Sequence, residues 1–377
     1  MHIALTLQRI RKGDGTGRVN YEIVKELLRQ RHRVSLIASE IPPEFQTHPL
    51  VVWHRVPWSK RFTTLIGNLW FGLQTTKVLR KLHAQFDIVK QNGFTSFYPA
   101  DIIAVHTIHE VWLRSPTYQP AGASTSSLRT LYRRLYMKCS ARLERRAFHQ
   151  ARVLVAVSNK VKEELQAYLG LAPEKIRTIH NGVDLQEFSP GQEDRIALGL
   201  PPNKPLGLFV GDIRTYGKNL DTVLAALAQV PQLHLAVAGD THNSPFPAFA
   251  EKLGVAERVH FLGFRRDIPK LMRAADLFIF PSRYEACSLA LLEAMASGLP
   301  IVTAQTAGGC ELITPESGVV LPDPNDVSAL AETLCALLAE PERLKAMGRA
   351  GRAIAERHSW EIMADQYVAL FEELHPS

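Results

Sequence analysis

Cysteine is scarce in this chain. Four occur among 377 residues, Cys139, Cys287, Cys310 and Cys335, and none forms a CxxC pair. That spacing excludes the usual zinc sites and a disulfide framework, and it fits a reducing compartment. Long apolar runs are lacking too, since none approaches the roughly 18 residues that a bilayer crossing needs. Positions 1–8 read as a first strand and lack the charged n-region, long h-region and small-residue cleavage site of a signal peptide. The expected location is therefore the cytoplasm, with peripheral attachment to the inner face of the membrane as an open option. The sequence has no internal repeat of solenoid period and no Asp-x-Asp motif to hold a divalent ion beside a ligand. With 46% hydrophobic and 21% charged residues, it is neither a disordered chain nor a membrane-embedded one.

What the chain does have is alternation. Its length exceeds what one core usually supports and favours two domains of about 150 to 200 residues. Short β-rich runs alternate with amphipathic helical stretches in both halves, the pattern of parallel sheets built from βαβ units. The fold class is α/β. Strands are expected at 2–7, 33–38, 87–91, 102–106 and 153–158 in the first half. In the second they are expected at 206–210, 234–238, 259–262, 277–280 and 301–303, each series forming its own doubly wound sheet. Turn formers near residue 180, followed by a Pro- and Gly-rich stretch over 189–205, mark a domain boundary. Residues 117–127, rich in Ser, Ala, Pro and Gly, read as a mobile loop.

The formal charge of +7 is concentrated. Between positions 129 and 152 stand Arg129, Arg133, Arg134, Lys138, Arg142, Arg145, Arg146 and Arg152 against a single acid, Glu144. That segment alone accounts for the net charge. Apolar residues recur between the charges at helical spacing, so it reads as a basic amphipathic helix. One reading is a solvated face on a core-facing helix. The other is attraction to an anionic lipid surface or a phosphorylated acceptor. No nucleic-acid-binding motif accompanies the patch, and nucleic acid is not an expected partner.

The most informative stretch is 280–300. A buried strand ends at Pro281, a loop carries Glu285, and a helix containing Glu293 runs to about Ser297, where Gly298 and Pro300 end it. In open α/β sheets ligands bind beyond the carboxyl ends of strands, and a helix N-terminus presents free N–H groups to phosphate. A diphosphate near Leu289 and Ala290 fits this corner. Leu289, Leu291, Leu292, Ala294 and Met295 make the helix apolar on most sides, so a carboxylate at Glu293 needs a defined partner.

Glu285, seven intervening residues, Glu293 and then Ala-Met-Ala-Ser-Gly-Leu-Pro are similar to the signature of the retaining family 4 glycosyltransferases (glycosyltransferase group 1) of GT-B fold. The resemblance extends over nearly the whole chain. Gly15-Thr16-Gly17-Arg18 followed by Arg31-His32-Arg33-Val34 resembles the family's glycine loop, helix and second strand. Residues 175–184 with Phe188-Ser189-Pro190 resemble its linker, and residues 209–220 its phosphate-binding loop. Gly263 to Asp267, Ala275-Asp276 and Gly308-Gly309-Cys310-Glu311 match further stations, and His358-Ser359-Trp360-Glu361 resembles the closing helix. The resemblance implies two Rossmann-like domains facing a central cleft: 1–178 on the acceptor side, 179–355 for the donor, and 356–377 returning to the first domain.

Carried over residue by residue, it implies that Glu293 binds the ribose hydroxyls and Glu285 the transferred sugar. Arg214 and Lys218 would neutralise the departing diphosphate, where negative charge develops. Main chain at Gly15, Gly17, Gly211 and Gly263, and at Ser288, Leu289 and Ala290, would line the donor. His106, at the end of an N-domain strand, would face the sugar, with His109 as the alternate. No metal or other cofactor is implied. Ala286 and Ser288 stand where the family often has glycines, and Asp212 where it often has arginine directly after the glycine.

Two other readings were open. Gly13-Asp14-Gly15-Thr16-Gly17 with Glu40 suggests a nicotinamide-dependent Rossmann dehydrogenase, but Arg18 or Asn20 falls where the pattern requires a third small residue. A catalytically silent nucleotide-sugar-binding protein would share the fold, although Glu285, Glu293 and Lys218 are all present. The expectation is a hexosyltransferase that uses a UDP-glucose-like donor, with GDP-mannose as the alternative. The acceptor would be an envelope, lipid-linked or other glycan.

Overall fold

Nearly every β-rich run becomes a parallel strand in the computed structural model, which describes residues 1–13, 15–58, 63–114 and 128–375, without the side chains at 128 and 129. Two units form, Met1–Asn181 with Trp360–Ser377, and Gly182–Ser359. The first is built on β1 (His2–Thr6), β2 (Arg33–Ala38), β3 (Val51–Arg55), β4 (Ile88–Asn92), β5 (Ile102–Val105), β6 (Val153–Ala156) and β7 (Ile176–Thr178). The strands lie in the order β3-β2-β1-β4-β5-β6-β7, all parallel. Between them run α1 (Gly15–Arg29), the short α2 (Pro43–Gln46), α3 (Thr64–Leu82), α4 (His109–Arg114), α5 (Leu128–Gln150) and α6 (Asn159–Leu169).

The second unit has a six-stranded parallel sheet. Its strands are β8 (Leu206–Val210), β9 (His234–Ala238), β10 (Val259–Phe261), β11 (Leu277–Phe280), β12 (Ile301–Ala304) and β13 (Gly318–Leu321). Their order, β10-β9-β8-β11-β12-β13, is that of a doubly wound dinucleotide-binding sheet. Helices α7 (Leu220–Ala228), α8 (Phe246–Lys252), α9 (Ile268–Ala274), α10 (Leu289–Ala296), α11 (Val327–Leu338) and α12 (Pro341–Ala355) accompany it. The last helix, α13 (Trp360–Leu374), belongs to the first unit and packs on α1.

Three strands had no counterpart in the sequence reading: β3, β7 and β13. All three lie at sheet edges. A central strand of a parallel sheet is covered on both faces and reads as a continuous apolar run, as in the wholly buried Leu277–Phe280. An edge strand has one partner and less cover, so β3 is a half-exposed Val-Val-Trp-His-Arg and β7 has only three residues. The loop expected over 117–127 lies outside the described residues. Among the described residues no helix is long and apolar enough to cross a membrane.

Helix α10 forms from Leu-Ala-Leu-Leu-Glu-Ala-Met-Ala, all good helix formers, and stops where the sequence says it should. Gly298 takes a left-handed φ of 76°, its N–H bonds to Met295 O at 3.0 Å, and the Leu299 N–H reaches Ala294 O at 3.0 Å. This is a Schellman stop, which needs a residue without a Cβ penalty at that position. The turn also packs on α12: a Cβ on Gly348 would lie 2.0 Å from the Gly298 carbonyl oxygen. Gly348→Ala should therefore force α12 off α10 and cost about 2 to 3 kcal/mol, measured by denaturant unfolding.

Candidate functional site

In the second unit the strand order reverses between β8 and β11, and the loops leaving these two strands open into the crevice formed there. They are joined along their length. The Asn219 backbone sits in the left-handed region at φ 67° and its side chain is fully buried, donating to Pro281 O at 2.8 Å and Pro324 O at 2.5 Å. Arg283 binds Asp221 through two nitrogens, each at 2.8 Å, and donates to Tyr216 O at 2.6 Å. Lys218 closes the seam with an ion pair to Glu285 Oε1. The sequence named Lys218 and Glu285 separately, and the fold puts them in contact.

The loop that carries Glu285 is fixed on its other side by the turn after β12. Glu285 N–H donates to Thr306 O, Gly308 N–H to Glu285 O and Ser288 N–H to Gly308 O, at 3.2, 2.9 and 2.9 Å. A Cβ on Gly308 would stand 2.0 Å from Ala286 O, so only glycine allows this approach. Helix α10 then begins at Leu289 with Ser288 as N-cap, and the Ser288 side chain makes no capping hydrogen bond. The first N–H groups of α10, at Leu289 and Ala290, thus keep their donor capacity toward an anion.

Glu293 lies one turn into α10. No described group hydrogen-bonds its carboxyl. Burial, and after it the charge of Glu187, pushes Glu293 up to about 7. A half-buried carboxyl with no donor is destabilised in its charged form, and a ligand hydroxyl would relieve it. Lys218 is drawn down to about 8 by burial, against the upward pull of Asp212.

Arg214 is less available than its sequence position suggests. Its guanidinium is held by Asp212 through two hydrogen bonds of 2.9 and 3.0 Å and lies 3.7 Å from Asp240. Its charge is already largely answered before any anion arrives. Asp212, the departure from the family's arginine, is what occupies it. Gly211, Gly239 and Gly263 follow β8, β9 and β10. Gly263 has φ 68° and its carbonyl accepts from Gly239 N–H at 3.0 Å, while a Cβ on Gly239 would stand 2.3 Å from Gly211 O. The sequence reading missed Gly239, whose signal was a glycine directly after a strand.

In the first unit, Gly15 and Gly17 lie in the first turn of α1 rather than in a loop before it, Gly15 exposed and Gly17 buried. Glu40, the acid that suggested a dehydrogenase, is tied to Arg11 at 2.8 and 2.6 Å. His106 stands one residue past the end of β5. Its Nε2 is enclosed and has no hydrogen-bond partner among the described residues. Burial, and then the charge of Lys90, holds His106 down to about 3, so its ring is neutral. His109 differs: its Nδ1 and backbone N–H both meet Glu144, at 2.7 and 2.9 Å. His109 is thus anchored through Nδ1 to Glu144, whereas the His106 ring has no such carboxylate partner among the described residues.

Lys90 was not foreseen. It is 1% exposed on β4 and donates to Asn20 Oδ1 at 2.7 Å and Asn92 Oδ1 at 3.1 Å, with Nζ 5.3 Å from the Tyr367 ring. Burial draws it down to about 7. In the β4–β5 register Lys90 pairs with Ile102 and Asn92 with Ala104, which places Lys90 and His106 on one face of the sheet. The signal available was a lysine inside an apolar strand run.

A cavity of about 810 Å³ lies at the opposite, amino end of the second sheet, beside Pro205, Asp276 and Pro300. Two ion pairs line it, Arg195 with Asp276 and Arg273 with Glu193. Among the described residues no group of three or more His, Cys, Asp or Glu side chains is arranged to hold a metal ion.

Two doubly wound parallel sheets, the second with two glutamates and a lysine at its switch point, define the class of GT-B glycosyltransferases. The chain belongs to glycosyltransferase family 4, group 1: the family model "Glycosyltransferase Family 4" matches residues 13–187 and "Glycosyl transferases group 1" matches residues 191–354. Among curated relatives, D-inositol 3-phosphate glycosyltransferase of Segniliparus rotundus is 37% identical over 231 residues, 58% of this chain and 51% of that protein. The enzyme of the same name from Mycobacterium sp. (strain JLS) is 35% identical over 205 residues, 52% and 46% of the two chains. The match thus spans about half the length of these relatives. Among solved structures, sucrose-phosphate synthase of Thermosynechococcus elongatus shares the fold with a TM-score of 0.78 at 21% identity, over 99% of this chain and 98% of that one. HepE of Anabaena, solved with UDP and glucose, does so with a TM-score of 0.70 at 22% identity, over 98% and 99%.

Glu293 generates a stability test. Its pKa in the folded chain lies above the ordinary carboxylate value, so the folded state binds the extra proton and stability falls as pH rises from about 4.5 to about 7. Glu293→Gln should match the wild type at pH 4.5 and exceed it by about 3 kcal/mol above pH 7 in the absence of ligand, measured by denaturant unfolding across pH.

Proposed function

We propose that this protein transfers a hexosyl group, with retention of anomeric configuration, from a nucleoside-diphosphate sugar to a glycan or lipid-linked acceptor. The observation that carries the reading is the Lys218–Glu285 ion pair beside the uncapped N-terminus of α10, with the unpartnered Glu293 one turn further on. Each piece suits one part of such a donor. Glu293 accepts from the ribose hydroxyls, the first N–H groups of α10 take the diphosphate, and Lys218 answers the charge that grows on it as the glycosidic bond breaks. Glu285 takes the sugar hydroxyls and passes its lysine to the phosphate when donor arrives. Arg214 contributes only as far as Asp212 and Asp240 share it.

The reaction is read as front-face displacement: the acceptor oxygen attacks the anomeric carbon as the diphosphate leaves, and a phosphate oxygen takes the acceptor proton. Lys218 supplies a positive charge there without any metal, and His106 offers a neutral ring nitrogen to a sugar hydroxyl. UDP-glucose is the preferred donor, supported by the UDP and glucose bound in HepE, and GDP-mannose is the alternative. For the acceptor, the relatives' names favour a phosphorylated polyol as a second reading beside a lipid-linked or envelope glycan. The basic segment from Arg129 to Arg152 suits either, through anionic phosphate or an anionic membrane surface at the cytoplasmic face.

Nucleotide release from UDP-, GDP- and ADP-sugars tests the reading. The expected result is turnover with a UDP-hexose, a loss of about 100-fold or more in kcat for Lys218→Met, and weaker donor binding for Glu293→Ala. No binding or release with any donor would refute the enzyme reading, and a trapped covalent glycosyl-enzyme would refute the front-face mechanism.

A further inference from the structure

The first unit carries an exposed surface that the transfer chemistry does not use. On α3, Ile66, Trp70 and Leu73 are about half exposed, at 52, 46 and 49%. Their spacing, i, i+4 and i+7, puts them on one stripe of the helix. The same stripe continues into exposed Lys77 and Arg80. Helix α5 repeats the arrangement: Leu131 and Leu135 are exposed in its first two turns, and the stripe runs on into exposed Lys138, Arg142 and Arg145. Both helices therefore show water an apolar start, joined on α5 by the exposed Arg134, and a basic continuation. Their apolar ends adjoin, because the Leu65 N–H on α3 donates to the Tyr132 hydroxyl on α5 at 3.1 Å. Ile66 is next to one partner in that bond and Leu131 next to the other.

A core-facing helix with a merely solvated basic face would bury its large apolar residues and expose its charges. Here five large apolar side chains stand outward beside one helix–helix contact. Exposed apolar groups gathered in this way mark an interaction surface. Its charge says which kind. Helix α3 contains no acidic residue, and the single acid of α5, Glu144, is buried against His109. The basic continuations thus have no exposed acid on their own helices, and Glu110 of α4, which borders Lys138, Arg142 and Arg145, is paired with Arg114. The surface therefore suits a partner that is anionic over an extended area and accepts apolar side chains. An anionic lipid bilayer is such a partner: acyl chains take Trp and Leu, and the headgroups meet Lys and Arg.

We propose that the amino-terminal turns of α3 and α5 form a membrane-insertion tip, with Ile66, Trp70, Leu73, Leu131 and Leu135 entering the interface of an anionic bilayer and the basic continuations of both helices resting on its headgroups. This rests on the reading of the basic segment as facing an anionic surface, and it adds the apolar element that turns electrostatic attraction into insertion. A tip of this kind brings the unit to a lipid-linked acceptor without any membrane-spanning helix.

The test is sedimentation of the full chain with phosphatidylcholine vesicles and with vesicles of about one third phosphatidylglycerol. Binding is expected to the anionic vesicles only, weakening about tenfold as salt rises from about 0.1 to about 0.5 M, with a blue shift of tryptophan emission that Trp70→Phe removes. Ile66→Gln/Trp70→Gln/Leu73→Gln should reduce partitioning about tenfold while leaving the unfolding midpoint and vesicle-free nucleotide release unchanged. Lys77→Gln/Lys138→Gln/Arg142→Gln should flatten the salt dependence. Equal binding of the triple glutamine variant and the wild type to anionic vesicles would overturn the tip yet leave the anionic-surface reading standing. Failure of the wild type to prefer anionic vesicles would overturn both, whatever the nucleotide-release result. A solution dimer that Trp70→Gln converts to monomer would show that a second copy covers this face and would also overturn the proposal.

Discussion

The second unit depends on the joining of two loops where its strand order reverses. Strands β8 and β11 are neighbours that run parallel, so the chain leaving each must turn away in opposite directions and opens a crevice between them. Left unsupported, two polar loops at the end of a sheet would move independently. Here buried Asn219 ties one loop to Pro281 and Pro324, Arg283 clamps Asp221, and Lys218 meets Glu285. The first two contacts are buried or half-buried. They hold the frame independently of the Lys218–Glu285 pair.

From that seam the remaining geometry follows. Gly308 lets the turn after β12 approach the Ala286 carbonyl, which fixes the loop ahead of α10 and so the place where the helix begins. The start of α10 sets its free N–H groups and, one turn later, the position of Glu293. The stop at Gly298 and the close fit of Gly348 hold the other end of the helix. Three glycines in the unit thus have steric reasons independent of chemistry. Substituting any of them would be felt at Glu293 without touching it.

The charges divide into two kinds. Glu285, Asp212, Asp221 and Glu144 have close basic or imidazole partners, while half-buried Glu293 and His106 and fully buried Lys90 have no ion partner among the described residues. Partnerless buried ionisable groups lower stability, and chains keep few of them. Lys90 and His106 lie on one face of the first sheet, and Glu293 lies one turn into α10 of the second unit. Burial, and after it the like charge of Lys90 on the same sheet face, keeps the histidine neutral.

The family resemblance singled out the two glutamates and the lysine, while the sequence by itself determined the α/β alternation, the central strands, and the corner of β11 and α10. Each rests on local physics: continuous apolar runs, helix-forming composition, and a glycine that must end a helix. Tertiary structure decided the rest. Edge strands β3, β7 and β13 carry weak apolar signals because one neighbour covers them. That Glu144 holds His109 and that Lys90 lies buried against Asn20 and Tyr367 depend on residues far apart in the sequence, while Asp212 and Arg214, only two positions apart, meet through the conformation of their loop. The basic segment was legible as an amphipathic helix, but not the apolar stripe of α3 beside it, because sequence periodicity tells which residues share a face and only packing tells which face is left to solvent.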